Sequence, residues 1–580
     1  MTSLVAALDS IQTPLDMSVQ MGENNHVEYT WSNDIQEKIL QLSFQIVRTT
    51  DMSSIEDKLY ELLVRLRDDG VVDRLAHLSV LYRMLGQTRD IIQGKGEYAL
   101  SYMMLWTWYR VFPSLALYAL DTFVLSDSGS HPYGSWKDMK CFAHYCRSKG
   151  GDMNHPLILR CIDLINVQLC RDLYSTENVS LCAKWVPRES SKYGWLYKSL
   201  ALDYFKNHNY LLSAKTPIAL ELAKKKCYMS YRKVLTSLNK ELDTVQIKQC
   251  GGAWADINHN KTTSITLTKN RKAFLNVDKK GEQRSSLDDR IQCANNFKEY
   301  VEERKKSGNE VKGKRVGMEM FTKQALEIAS TNISSAMETD VLDSQWRDHG
   351  STTGPLGNMI AMVDTSGSME GDPMMAAIAL GIRVAEKSLI GKRVMTFSST
   401  PTWCKLDDCV DTNDPSKFSF VKAVHRVRLA PWGMNTDFYA AMKMILCALC
   451  EKKVPVEEAE GMVLAIFSDM QIDQGITGFN DNFNRRSMYL EMEKMYQERG
   501  YKIPHILFWN LRSTDGFPCV STMANATMLS GFSPVLLNSF CEKGMDLLKD
   551  FTPWKMLLET LSHERYQKMD ERISLEFPPR

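Results

Sequence analysis

Asp364, Ser366 and Ser368 stand at alternate positions directly after the apolar run Met359-Ile360-Ala361-Met362-Val363. One carboxylate and two hydroxyls are hard oxygen donors, and they suit a hard divalent cation, Mg²⁺ above all. Two further groups belong with them. Thr436 sits in the stretch Pro431–Asp437, ahead of an apolar segment, and Asp469 closes the apolar run Met462–Phe467 after Ser468. If these apolar runs are strands of one parallel sheet, all five side chains leave it at the same carboxyl edge, where open α/β folds take their ligands. Mg²⁺ prefers six oxygens and keeps several waters, so some of the five would act through water and an open position would accept an acidic group from a partner. A simpler reading has the serines capping the next helix and Asp364 ordering the turn. It leaves the third segment, ending in Ser468-Asp469, without a purpose. Asp437 and Asp473 lie near the candidate ligands and read as capping or supporting carboxylates.

Catalytic patterns are missing around this constellation. The 11 His form no HExxH or paired-carboxylate pattern, and none of the plentiful Asp and Cys sits in a nucleophile elbow. Mg²⁺ can activate water, but a hydrolase also needs a base and an electrophile clamp, and neither can be named. A non-enzymatic binding protein is expected. The 14 Cys are scattered within helical patterns and read as reduced; Cys447 and Cys450 form a CxxC inside one such pattern, without a second pair at zinc spacing.

The elements that must position the five oxygens follow from periodicity. From Asn358 onward, strand-like runs alternate with helical ones: Met359–Val363, Arg393–Phe397, a short edge at Thr402–Leu406, Met462–Phe467, His505–Trp509 and Ala526–Ser530. That alternation predicts a doubly wound α/β domain over 358–580, with helices at its C-terminal end. Ahead of it, apolar residues recur at three and four from Ile35 to beyond Ser230, as in Ile55, Leu59, Leu62 and Leu66, and almost nothing reads as strand. The expectation is an all-α, HEAT-like helical-repeat domain over 31–345, without a strict sequence repeat. Within it, Asn258–Thr268 is polar and β-branched and reads as a structured loop, and about 278–314 reads as an exposed charged insertion. Residues 1–30 read as a flexible arm and 346–357 as a linker. A chain of 580 residues with 44% hydrophobic and 24% charged residues is expected to be globular and multidomain. Met1–Glu28 shows no secretory pattern and no run reaches about 18 apolar residues, so cytoplasmic residence is expected, or a virion if the protein is viral, with no membrane span.

The pattern Asp364 to Ser368, followed in order by Thr436 and Asp469, resembles the von Willebrand factor A domain and its metal-ion-dependent adhesion site. The resemblance implies Asp364, Ser366, Ser368, Thr436 and Asp469 as ligands of Mg²⁺, or of another divalent cation, that engages an acidic group of a protein partner. Further segments, among them Leu85-Gly86-Gln87-Thr88-Arg89-Asp90, Tyr133-Gly134-Ser135-Trp136-Lys137-Asp138 and Ala183-Lys184-Trp185-Val186-Pro187, resemble an uncharacterised family of plants and large DNA viruses that joins a helical region to such a domain. The layout is also similar to the TROVE module of Ro-type RNA-binding proteins, which implies RNA, single-stranded or structured, as a ligand of the helical part. The alternative is a protein–protein scaffold or virion component that binds no nucleic acid.

A net charge of +1 means that any nucleic-acid surface must be local. Arg89, Lys95, Lys184, Arg188, Arg232 and Lys233 are the candidate contacts, with Trp185, Tyr193, Trp195, Tyr228 and Tyr231 among them. Cations for phosphates and rings for bases are what single-strand binding requires, though lysines on helices also form plain solvated faces. Gly94-Lys95-Gly96 lacks the spacing of a phosphate loop and reads as a turn between helices.

Overall fold

The computed structural model of the protein describes residues 19–21, 27–68, 70–126, 129–175, 178–330, 336–397, 401–410, 414, 417–430, 438–470, 488–514, 516–541 and 551–578. They form two compact units. The first comprises residues up to Leu81 together with Val316–Glu564; the second comprises Tyr82–Arg315 together with Arg565–Arg580. A linear reading cuts the chain at 346–357. Along the sequence the two units alternate instead, because segments before residue 81 pack on a sheet built after residue 358.

Among the described residues the first unit begins with β1 (Val19–Met21) antiparallel to β2 (Val27–Tyr29), within the stretch expected to be a flexible arm. Tyr29 exchanges backbone hydrogen bonds with Phe517, both 3.0 Å, and Trp31 meets the Phe517 ring edge-on at 5.0 Å. The main sheet has six strands: β3 (Met359–Asp364), β4 (Arg393–Phe397), β5 (Thr402–Lys405), β6 (Val463–Ser468), β7 (His505–Asn510) and β8 (Ala526–Ser530). Their order is β5-β4-β3-β6-β7-β8. Only β5 runs antiparallel, at one edge. β3, β6, β7 and β8 are buried along their whole length, which is why their sequences are continuous apolar runs rather than alternating ones.

Helices cover the sheet. Asp372–Lys387 lies on β3, so closely that a Cβ at Gly381 would come within 2.5 Å of a Val363 methyl. Met318–Ser330 and Phe420–Arg428 pack beside it. The stretch expected to be a linker begins inside the core: its first residues, 346–350, are the last turn of helix Ala336–Gly350, and Trp346 among them is fully buried. Trp346 stacks on Phe420 at 3.9 Å, carries the Arg383 guanidinium 3.7 Å from its ring centre, and donates from Nε1 to Glu386 at 3.0 Å. Only residues 351–357 connect. At the other end of the sheet, helix Ile35–Gln45, capped by Asp34, packs against β8 and helix Pro553–Thr560.

The second unit is helical. Successive helices pack on one another, as Tyr98–Val111 on Pro113–Asp121 and Trp136–Ser148 on Pro156–Tyr174. The C-terminal helix Gln567–Glu576 packs on Pro113–Asp121, and Arg565 grips Asp90 with two hydrogen bonds of 2.8 Å. Two expectations are corrected here. Asn258–Thr268 is not a loop throughout, since helix Ser264–Phe274 begins within it and buries Leu267 and Phe274 one face deep. The stretch 278–314 is not merely an insertion, since helix Asp288–Lys306 buries Cys293, Phe297, Tyr300 and Val301. Both helices close on the buried His259, whose ring lies 5.0 Å from Phe274 and 4.9 Å from Phe297. Tertiary burial outweighs weak local propensity in both cases. Among the described residues no helix is long and apolar enough to cross a membrane.

Candidate functional site

From β3 the chain passes to β4 on one side, while β6 lies on the other side of β3. The carboxyl ends of β3 and β6 therefore flank the point where the strand order reverses, the usual ligand crevice of an open α/β sheet. Asp364 ends β3, Ser468 ends β6 and Asp469 follows it; all three are fully buried. Ser366 donates its backbone N–H to Asp364 Oδ1 at 2.9 Å, and Ser468 donates its hydroxyl to Asp364 Oδ2 at 2.6 Å. The hydroxyls of Ser366 and Ser368 are 3.0 Å apart. Met470 donates its N–H to Ser468 Oγ at 3.0 Å and holds φ at 64°, a left-handed conformation uncommon for such a side chain and typical of strained turns at functional sites. Arg512, exposed beyond β7, donates from Nη1 to the carbonyl of Ser368.

Burial, and next the charge of Asp469, push the Asp364 carboxyl up to about 7, against the hydrogen bonds from Ser468 and Ser366. Four of the predicted oxygens are thus placed at the edges of two neighbouring strands: Asp364, Ser366 and Ser368 as one hydrogen-bonded turn, and Asp469 near enough for its charge to act on Asp364. Thr436 lies outside the described residues, as do Asp437 and Asp473. Among the described residues no three His, Cys, Asp or Glu side chains are grouped to hold a metal ion. An ion at Asp364 would rely on two carboxylates, hydroxyls and water, a donor set that fits Mg²⁺, which keeps several waters. Ser468 is the group that sequence reasoning did not assign. Its position beside Asp469 at the end of an apolar run was the available signal.

The six basic candidates divide. Arg89 and Lys95 are buried. Arg89 forks onto Asp138 at 3.1 and 2.6 Å, and burial pushes the Lys95 ammonium down to about 7. Arg232 is exposed and ion-paired with Glu189. With the exposed Lys233 it lines an open cleft of about 460 Å³ that also takes in Met229, Thr236 and Lys240. Arg188 is exposed. Lys184 is half-buried, with its ammonium 5.6 Å from the centre of the Trp185 ring.

Residues 358–573 match a family model described as Domain of unknown function (DUF7788), and residues 163–349 match one described as Domain of unknown function (DUF2828). Over 509 residues the chain is 28% identical to Uncharacterized protein L728 of Acanthamoeba polyphaga mimivirus, an alignment covering 84% of this chain and 79% of that protein. The expected kinship with uncharacterised proteins, a viral one among them, is found. The first stretch falls mostly on the α/β unit and the second mostly on the helical unit.

Proposed function

We propose that the chain is a non-enzymatic binding protein whose α/β region is a von Willebrand A-type domain, docking an acidic group of a protein partner through a divalent cation. Asp364, Ser366, Ser368 and Asp469 would hold the ion, with Thr436 as the fifth group. The ion, when bound, supplies a hard Lewis-acidic position for a carboxylate. What supports the reading is one observation: two buried carboxylates and the Ser366–Ser368 hydroxyl pair gather at the switch point between β3 and β6. Within that reading the residues divide the work. Asp364 accepts from Ser366 N and Ser468 Oγ, so its carboxylate is fixed in one orientation. Arg512, anchored on the Ser368 carbonyl, sets a positive charge beside the face where an acidic group would arrive.

The test is calorimetric titration of Mg²⁺ into the full chain and into Asp364→Ala and Thr436→Ala, with circular dichroism to confirm folding. Loss of binding in both folded variants is expected. Unchanged Mg²⁺ affinity in both would end the assignment.

A further inference from the structure

We infer that the helical unit carries a binding strip for single-stranded nucleic acid on the outer face of helix Trp136–Ser148 and the adjoining segment from Lys184 to Trp195. The helix places Lys137, Lys140, His144 and Arg147 at successive intervals of three and four, one face extending over about 15 Å. Against it stand three half-buried rings, Trp185, Tyr193 and Trp195. The Lys137 ammonium lies 5.9 Å from the centre of Trp185, and that of Lys140 lies 5.2 Å from Trp185 and 5.4 Å from Tyr193. Lys192 reaches the Tyr193 ring at 4.9 Å, and the Arg147 guanidinium lies 4.8 Å from Trp195. His144 meets Tyr193 edge-on at 4.9 Å, which joins the two ends into one surface.

The charge on this face is uncompensated. Elsewhere in the same unit several basic side chains are matched: Arg89 to Asp138, Arg160 to Asp121, Arg232 to Glu189, Lys248 to Asp243. Among the described residues no carboxylate pairs with Lys137, Lys140, Arg147, Lys184 or Lys192. Like charges act on one another instead: burial, then Lys137 and Lys192, lower the Lys140 pKa, and burial, then Lys192 and Arg147, lower that of His144. Holding such a cluster together costs free energy that a bound polyanion would recover. In a chain of net charge +1 the excess is local.

The arrangement also selects among anions. The cations are strung along a line rather than converging on one point, so they match a repeating anion better than a single phosphate. Each cation shares its place with a ring, so a backbone phosphate and a base can be engaged side by side. An anionic bilayer would meet the charges without using the rings. The strip is independent of the Asp364 site, and either can fail without the other.

The test is fluorescence anisotropy of a labelled oligouridylate titrated with the full chain, at low and at physiological salt, with EDTA present. Binding that weakens steeply with salt is expected. Replacing the two exposed lysines, Lys137→Gln/Lys192→Gln, should cost about tenfold in affinity and reduce the slope of log affinity against log salt by about 1.4. Trp185→Ala should weaken binding by about tenfold and leave that slope unchanged. Three outcomes overturn the proposal: no binding at low salt, wild-type affinity and slope in the double variant with an unchanged melting temperature, or binding to phosphatidylserine vesicles but not to the oligonucleotide.

Discussion

Ser468 donates its hydroxyl to Asp364 Oδ2 at 2.6 Å and so ties together the ends of two neighbouring parallel strands 104 positions apart in the chain. Both groups are fully buried, and the acceptor is a carboxyl already strained by burial and by Asp469. Ser468→Ala leaves that oxygen without its donor. The expected loss is about 1–3 kcal/mol in urea unfolding. An unchanged midpoint would show that the bond carries no weight.

Trp346→Ala tests whether the stretch ahead of β3 is core. Its ring touches Phe420, Phe321 and Arg383, and truncation opens a cavity under the helix that covers β3. A destabilisation of about 3–5 kcal/mol is expected, together with faster proteolysis near residue 351. A true linker residue would tolerate the change.

Arg89→Ala separates a structural cation from a ligand-binding one. Asp138 is buried, accepts from Arg89, and caps helix Trp136–Ser148 through the Ser135 N–H at 2.7 Å. Removing the guanidinium leaves an uncompensated buried charge, at about 3–5 kcal/mol. Arg188→Ala, at an exposed position, should leave the melting temperature within about 1 °C, a surface change of this kind being near neutral. If Arg89→Ala melts like the wild type, the pair is not structural.

The strands were legible in the sequence because burial on both faces makes them unbroken apolar runs; Met359–Val363 and His505–Trp509 match β3 and β7 within one residue. Asp364, Ser366 and Ser368 were legible for the same reason, since a strand that stops at an aspartate exposes its turn at the sheet edge. Helix Asp288–Lys306 was not, because five core side chains are diluted among Asp, Glu, Lys and Arg. Nor was the face made by Lys137, Lys140, Trp185 and Tyr193, whose two segments are distant in sequence and are joined only by the packing of the helices between. The membership of Ile35–Gln45 in the α/β unit is a contact across hundreds of residues that no local pattern records.

Asp343 gives a pH prediction away from the candidate ion. Its carboxylate accepts from the Val421 N–H at 3.1 Å, at the start of helix Phe420–Arg428, and burial pushes its pKa up to about 6 from 3.8, against hydrogen bonds from Ser419 and Val421. The folded state therefore binds the proton more tightly than the unfolded chain. The stability this group contributes is fully present below about pH 4 and is lost as pH rises through about 6. Asp343→Asn removes that dependence. Relative to the wild type the variant should gain up to about 3 kcal/mol between pH 4 and pH 7 in urea unfolding. Parallel curves for the two proteins would refute it.

The polar row at the carboxyl ends of the strands continues past Asp364 and Ser468. Asn510 and Ser530 follow in register, and both are turned to the last turn of helix Ile35–Gln45: Asn510 donates to the Phe44 carbonyl at 3.0 Å and Ser530 to that of Ser43 at 2.7 Å. These partners are 466 and 487 positions apart. During synthesis the helix leaves the ribosome long before the strands that cap it exist. Contacts of such separation form late and slowly. The α/β unit can close only when nearly the whole chain has been made, while most of the helical unit, 82–315, emerges in between. A nascent chain of this protein must keep helix Ile35–Gln45 free of other partners until β8 arrives.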